Sequence, residues 1–361
     1  MSTSQPPEDD SFVAVPGLGQ VKGFTTSDGV SQFLGIPYGL LKTRWTRPEA
    51  ITRFECGKHD GTRHGPRCPQ PSAADFSQLS VPGFPSSPLV VQDEFKCLHL
   101  NIVRPSGCTP ASNLPVMVWI HGGGFSIGSN SEIAFDGIPL VKESISLGKP
   151  VIYVSINYRL GYLGFFASAK LLVESGGKSV GNYGLWDQRL ALEWVQEYIE
   201  AFGGNPHAVT IFGESAGAVS VHSHMVAKSP LFHQAIVQSG ALGTCSPVTL
   251  ERLSACQGHD RLAEALGFTE NVDLQTMRGT SATEIVEAMK KTFKGRLAAF
   301  TLLDDRQMED GFFPPDTDFL GIQPFCKRIV IGDCENDVTG PPILSSHFSM
   351  IANVNRGLLL R

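Results

Sequence analysis

No stretch of this chain is apolar for the roughly 18 residues that a membrane-crossing helix requires. Its lysines and arginines are scattered, without a basic block, and the formal net charge is −6. That removes the electrostatic footprint of a nucleic-acid binder. No His/Cys cluster has the spacing of a zinc site, and no glycine-rich loop carries the lysine of a phosphate cradle. Neither a metal nor a cofactor is therefore expected. The first ten residues are polar and acidic, without the charged start and apolar middle of a secretory leader. The cytoplasm is the default location on that reading, with secretion left open. No internal repeat and no domain linker is visible.

The most informative stretch is residues 208–220. It opens as a run of β-branched and aromatic residues, the pattern of a buried strand. It ends in small residues suited to a helix packed closely on a sheet. Between them stands Gly213-Glu214-Ser215-Ala216-Gly217, a G-x-S-x-G motif. A serine in such a strand-to-helix turn sits on strained backbone with its hydroxyl pointing out of the turn. The helix then begins at the serine, so its free N–H groups face any anion forming there. A second strand, 115–120, runs into His121-Gly122-Gly123-Gly124-Phe125, an oxyanion loop of the HGGG type. Glycines let backbone N–H groups approach a developing oxyanion. Each motif alone is also compatible with a plain glycine-rich turn. Together, each following a strand, they point to acyl transfer with Ser215 as nucleophile and the Gly123, Gly124 and Ala216 amides as donors. The substrate is then a small-molecule ester.

Strand patterns at 98–103, 116–120, 151–156, 235–238 and 328–332 alternate with helical patterns. That alternation predicts an α/β fold with a mostly parallel, helix-covered sheet. Helices are expected over 187–202, 251–266 and 283–293, and two or three short strands over 12–39. Residues 1–11 read as a tail without fixed structure. Trp45 reads as a packing residue. The long Pro/Ser-rich loop between Cys68 and Cys97 reads as functional or mobile, with Phe76 or Phe84 as candidate caps of the acyl site. A surface loop held by its own aromatics is the alternative.

The chain resembles the type-B carboxylesterases, the family of carboxylesterases, cholinesterases and certain fungal lipases. Besides the two motifs, the resemblance rests on Gly35-Ile36-Pro37-Tyr38, Gly65-Pro66-Arg67-Cys68-Pro69-Gln70, Lys96-Cys97-Leu98-His99-Leu100-Asn101 and Asn157-Tyr158-Arg159-Leu160-Gly161. It continues through Gly181-Asn182-Tyr183-Gly184-Leu185-Trp186-Asp187-Gln188, Phe202-Gly203-Gly204-Asn205-Pro206 and Gln238-Ser239-Gly240. It implies an α/β-hydrolase domain over 12–337 with a non-family tail at 338–361. It implies a disulfide between Cys68 and Cys97, with free thiols as the alternative in a reducing cytosol; whether Cys245 and Cys256 pair, spacing does not decide. The acid follows a strand ending in glycine, five residues beyond it, which places it at Asp337, with Glu335 as alternative. Glu214 and Ser239 are supporting residues, Ser239 through a hydrogen bond to the acid, although a strand-end turn also explains Ser239.

In this family the order is Ser, acid, His, with the histidine roughly a hundred residues past the acid. Here Arg361 is 24 residues past Asp337, Val338 replaces the family's glycine, and His347 is the only later histidine. The expectation is a domain whose last strands and catalytic base are missing, with ester hydrolysis impaired. A non-catalytic esterase-like binding protein and an inactive remnant are the competing readings.

Overall fold

The structure is a computed structural model that describes residues 12–71, 85–227, 229–243, 245–269, 271–294, 300–319 and 324–333. Phe76, Phe84, Glu335, Asp337 and His347 lie outside the described residues. In chain order the strands are β1 (Phe12–Val15), β2 (Gly19–Lys22), β3 (Phe24–Thr25), β4 (Val30–Pro37), β5 (Gly39–Leu40), β6 (Glu49–Ala50) and β7 (Lys58–Asp60). They continue with β8 (His99–Pro105), β9 (Leu114–Ile120), β10 (Ile152–Ile156), β11 (Gly204–Glu214), β12 (Gln234–Gln238) and β13 (Arg328–Gly332). Eight of them form one sheet in the order β13-β12-β11-β9-β10-β8-β4-β3. From β10 to β13 every pairing is parallel, and from β10 through β8 and β4 to β3 every pairing is antiparallel. The N-terminal region holds more strands than its sequence pattern suggests, because β1, β2 and β7 make a separate small sheet.

Side-chain alternation explains the layers. Trp119, Val103 and Tyr153 belong to one apolar cluster, against which Phe212 packs. Their strand neighbours Val118, Ile102, Val154 and Ile211 belong to another. Adjacent residues of a strand point to opposite faces, so the sheet is buried on both sides. The helix Ile138–Ser146 covers one face through Ile138, Leu140 and Val141. The helices Tyr183–Tyr198 and Ala216–Val226 cover the other through Leu185, Leu192, Val195, Val219 and Val221.

Two helix boundaries differ from the sequence pattern. The helix expected from Asp187 starts earlier, at Tyr183, and its last turn, Ile199–Phe202, tightens to a 3-10 helix before Gly203. The expected 251–266 helix is two, Leu250–Gln257 and His259–Leu266. Gly258 has extended backbone (ψ −169°), and a Cβ there would stand 2.4 Å from Ser254 Cα. The chain thus turns where only glycine fits.

A buried ion pair anchors the turn after β10. Arg159 donates from Nε and Nη2 to the two Asp187 oxygens at 2.7 Å each, and its backbone N–H adds a bond of 3.0 Å. Both side chains are at most 1% exposed. Burying two charges is costly, so the pair is stable only while each offsets the other. His99, His121 and His224 are among the buried imidazoles. Burial lowers His99 and His121 to about 4 and His224 to about 3. His224 Nε2 sits 3.1 Å from Gln188 Oε1, and Gln188 donates to Ser220, which links two helices. Asp305 shifts the other way, to about 6, because burial outweighs the Phe312, Phe313 and Asn182 N–H groups it accepts from.

Asp187→Asn leaves Arg159 buried without its counter-charge. It should cost about 3–5 kcal/mol in urea unfolding; a loss below about 1 kcal/mol would show that the pair is not a stability element. The pH dependence has a definite sign. Between about pH 4 and 6.5 the unfolded chain protonates imidazoles that the native state keeps neutral, at His99, His121 and His224 and, in the same direction, at His59, His64, His222 and His233. Asp305 opposes them with one proton, since its contribution is lost as pH rises toward about 6. Stability should therefore fall as pH drops from 7 to 5. An equal or higher urea midpoint at pH 5 contradicts that balance.

Candidate active site

The parallel register brings the two glycine-bearing turns together. Ile120 at the end of β9 pairs with Gly213 near the end of β11. The next residues, His121-Gly122 on one strand and Glu214-Ser215 on the other, therefore leave the sheet side by side at its carboxyl edge. β12 ends beside them, with Gln238 opposite Glu214, and β13 follows, with Gly332 opposite Gln238. Carboxyl ends of parallel strands are where such sheets hold their ligands.

Ser215 has φ 55° and ψ −120°, a conformation strained for any residue with a Cβ, and it caps the helix Ala216–Val226. Two contacts hold it there. Its N–H donates to the Gln238 carbonyl at 2.9 Å. Its own carbonyl faces Gly240, where a Cβ would stand at 2.4 Å. Ala216 opens the helix, so its N–H has no carbonyl within the helix to bond. A Cβ at Gly217 would lie 2.1 Å from the Ile120 carbonyl oxygen, which explains why the helix can cross the sheet so closely.

The glycine run lies directly against this bend. A Cβ on Gly122 would stand 2.7 Å from the Glu214 carbonyl, 2.9 Å from its carboxylate and 3.3 Å from Ser215 Cβ. Gly123 (φ 104°) and Gly124 (φ 61°) both need left-handed backbone. Their carbonyls are engaged: Gly123 accepts from Ser126 and Ile127 at 3.0 and 3.1 Å, and Gly124 from Phe300 at 2.9 Å. Gln70 pairs with Gly128 in both directions, at 2.8 and 3.0 Å. Asn157 accepts from the Asn130 N–H at 2.7 Å. Loops distant in sequence thus hold the run in place.

The remaining predicted residues divide. Ser239 lies at the strand end with φ 55°, and its N–H donates to the Gly332 carbonyl at 2.8 Å, so its backbone makes a strand-end turn joining β12 to β13. Of the two alternatives for Cys68 and Cys97, the structure shows the unbonded one. Both are free thiols, buried beside each other, with Cys97 hydrogen-bonded toward Cys68. The Cys68 sulfur accepts from the Leu160 N–H at 3.3 Å and Cys97 donates to the Glu94 carbonyl at 3.4 Å, bonds that reduced thiols can make. Trp45 is a packing residue, 2% exposed, with Nε1 donating to the Tyr162 carbonyl. Among the described residues no histidine hydrogen-bonds the Ser215 side chain. His121 turns Nδ1 to the Gly122 carbonyl, and His222 accepts from the Leu242 N–H. Two open hollows of about 340 and 670 Å³ lie around Phe268 on the peripheral helices and contain none of these residues.

One participant escaped the sequence patterns. The Tyr158 hydroxyl donates to the His121 carbonyl at 2.7 Å. Burial pushes this phenol well above its usual range, with the Cys68 thiol and the Glu214 carboxylate adding to the push. The signal was available: β10 pairs in parallel with β9, Ile156 opposite Ile120, so Tyr158 emerges two residues past the same edge.

Known proteins are similar to this chain in sequence and fold. The model of the carboxylesterase family matches residues 9–339. Lipase 1 of Yarrowia lipolytica is 36% identical over 320 residues, covering 87% of this chain and 60% of its own. The para-nitrobenzyl esterase of Bacillus subtilis is 40% identical over 276 residues, covering 75% of this chain and 51% of its own. A solved carboxylesterase of Geobacillus stearothermophilus superposes with a TM-score of 0.71 at 30% identity, over 90% of this chain and 61% of that one. The chain thus spans about three fifths or less of the length of these relatives. Its sheet and helices are those of an α/β-hydrolase, and the chain belongs to the carboxylesterase family.

Proposed function

We propose that this chain carries the nucleophile and the oxyanion donors of a carboxylic ester hydrolase. The observation that carries the reading is the contact of Ser215, on strained backbone, with a glycine run that admits no Cβ at Gly122 or Gly123. Ser215 Oγ attacks the ester carbonyl carbon, and the carbonyl electron pair moves onto oxygen. The Gly123, Gly124 and Ala216 N–H groups stabilise that oxyanion, and removing one such donor typically costs about 3–4 kcal/mol of barrier. The bond to the alcohol then breaks, leaving an acyl-Ser215 that water hydrolyses.

A serine hydroxyl needs a base to accept its proton. In this reading Asp337 orients an imidazole, as the family order requires. The described residues supply no such imidazole, and acylation without one is slower by about 10⁴-fold or more. Printed names of relatives span a lipase, an acylcarnitine hydrolase and a para-nitrobenzyl esterase. Substrate choice is accordingly left to measurement with p-nitrophenyl esters of graded acyl length.

A fluorophosphonate probe should label the folded chain once, at Ser215, as read by peptide mass spectrometry. Ser215→Ala should abolish the label while circular dichroism stays unchanged. Without a base the labelling should be slow, so folded wild-type chain that takes no label at Ser215 over prolonged incubation with millimolar probe, or labelling that survives Ser215→Ala, would sink the reading.

A further inference from the structure

We propose that Tyr158 is the positioning residue of the glycine run and acts on it through His121. The inference rests on the acylation of Ser215 argued above, and it adds what sets the donor geometry.

A peptide plane is rigid, so fixing its carbonyl fixes the N–H on its opposite side. The Gly122 carbonyl accepts from His121 Nδ1 at 2.9 Å, and the N–H across that same peptide belongs to Gly123. His121 therefore aims the Gly123 donor, and whatever holds His121 holds that aim. Tyr158 holds it twice. Its hydroxyl donates to the His121 carbonyl at 2.7 Å, and its ring stacks on the imidazole with centroids 4.5 Å apart and planes 19° apart. Phe135 lies near-parallel to the imidazole as well, with planes 14° apart and centroids at 6.4 Å. Both Tyr158 and His121 are at most 1% exposed, so no solvent competes for these bonds. His121 Nε2 has no hydrogen-bond partner among the described residues, so the ring is placed by the Nδ1 bond and the stacking alone. Tyr158 is itself anchored, since its neighbour Arg159 is bound to Asp187 and Gly161 donates to the Phe125 carbonyl at 2.7 Å.

The test compares Tyr158→Phe with Tyr153→Phe in the full chain. Each removes one buried hydroxyl that donates to a backbone carbonyl, but Tyr153 bonds Phe135, outside the glycine run. Fluorophosphonate inactivation separates kinact from KI. Tyr158→Phe should lower kinact at least about tenfold and leave KI within about twofold, and Tyr153→Phe, whose hydroxyl reaches the imidazole only indirectly through Phe135, should leave both within about twofold. Amide hydrogen exchange should quicken in peptides covering 121–127 for Tyr158→Phe alone. His121→Phe, which keeps a ring against Tyr158 but loses the Nδ1 donor, should reproduce the kinact loss and serves if Tyr158→Phe does not fold. Equal kinact and equal exchange in the two tyrosine variants would overturn the proposal. If the wild-type chain takes no label, the hydrolase reading fails by itself. Exchange at 121–127 then decides the brace: faster in Tyr158→Phe alone upholds it, unchanged overturns it.

Discussion

The arrangement depends on one constraint: the parallel pairing of β9 and β11, which sets Ile120 opposite Gly213. From that register two turns must leave the same edge of the sheet within van der Waals reach of each other. Only backbone without side chains fits where they meet. A Cβ at Gly122, Gly213 or Gly217 would stand 2.1–2.7 Å from a neighbouring backbone atom. The glycines of both motifs are therefore consequences of the strand register as much as of the chemistry. Close approach is also what lets backbone N–H groups serve as donors near a serine oxygen.

Around this contact the protein places polar groups where a core would ordinarily be apolar. Arg159 and Asp187 pair without solvent, Gln70 pairs with the Gly128 backbone, and Asn130 and Asn157 join the loops after β9 and β10. Each such bond is directional, whereas apolar burial is not. Apolar packing can close the sheet between its helices, but it cannot specify the rotation of a peptide plane in the glycine run. The buried histidines fit the same logic. Desolvation keeps His121 and His224 neutral, so they act as fixed hydrogen-bonding groups.

Much of this was legible beforehand. The run Val209-Thr210-Ile211-Phe212 announces a strand, and the small residues after Ser215 announce a helix pressed on a sheet. Both elements are present, as β11 and Ala216–Val226. The last described strand, Arg328–Gly332, was also readable from its β-branched pattern. The break at Gly258 was not, because a helical period runs through it and only the clash with Ser254 reveals the turn. For Cys68 and Cys97 the sequence left a disulfide and free thiols both open, and the structure holds the free thiols, since sequence spacing carries no information on redox state.

Local chemistry alone determined which residues could react: a hydroxyl between glycines, and a glycine run after a strand. Periodicity of two and of 3.6 determined the alternation of strands and helices, because each element must bury one face. Which distant residues meet was decided only by tertiary structure. Nothing near Tyr158 in the sequence names His121 as its acceptor, and nothing near Gln70 names Gly128. Those contacts arise when sheet register and loop closure bring together segments 37 and 58 residues apart. Their bonds depend on distance and angle in space, which no local pattern encodes.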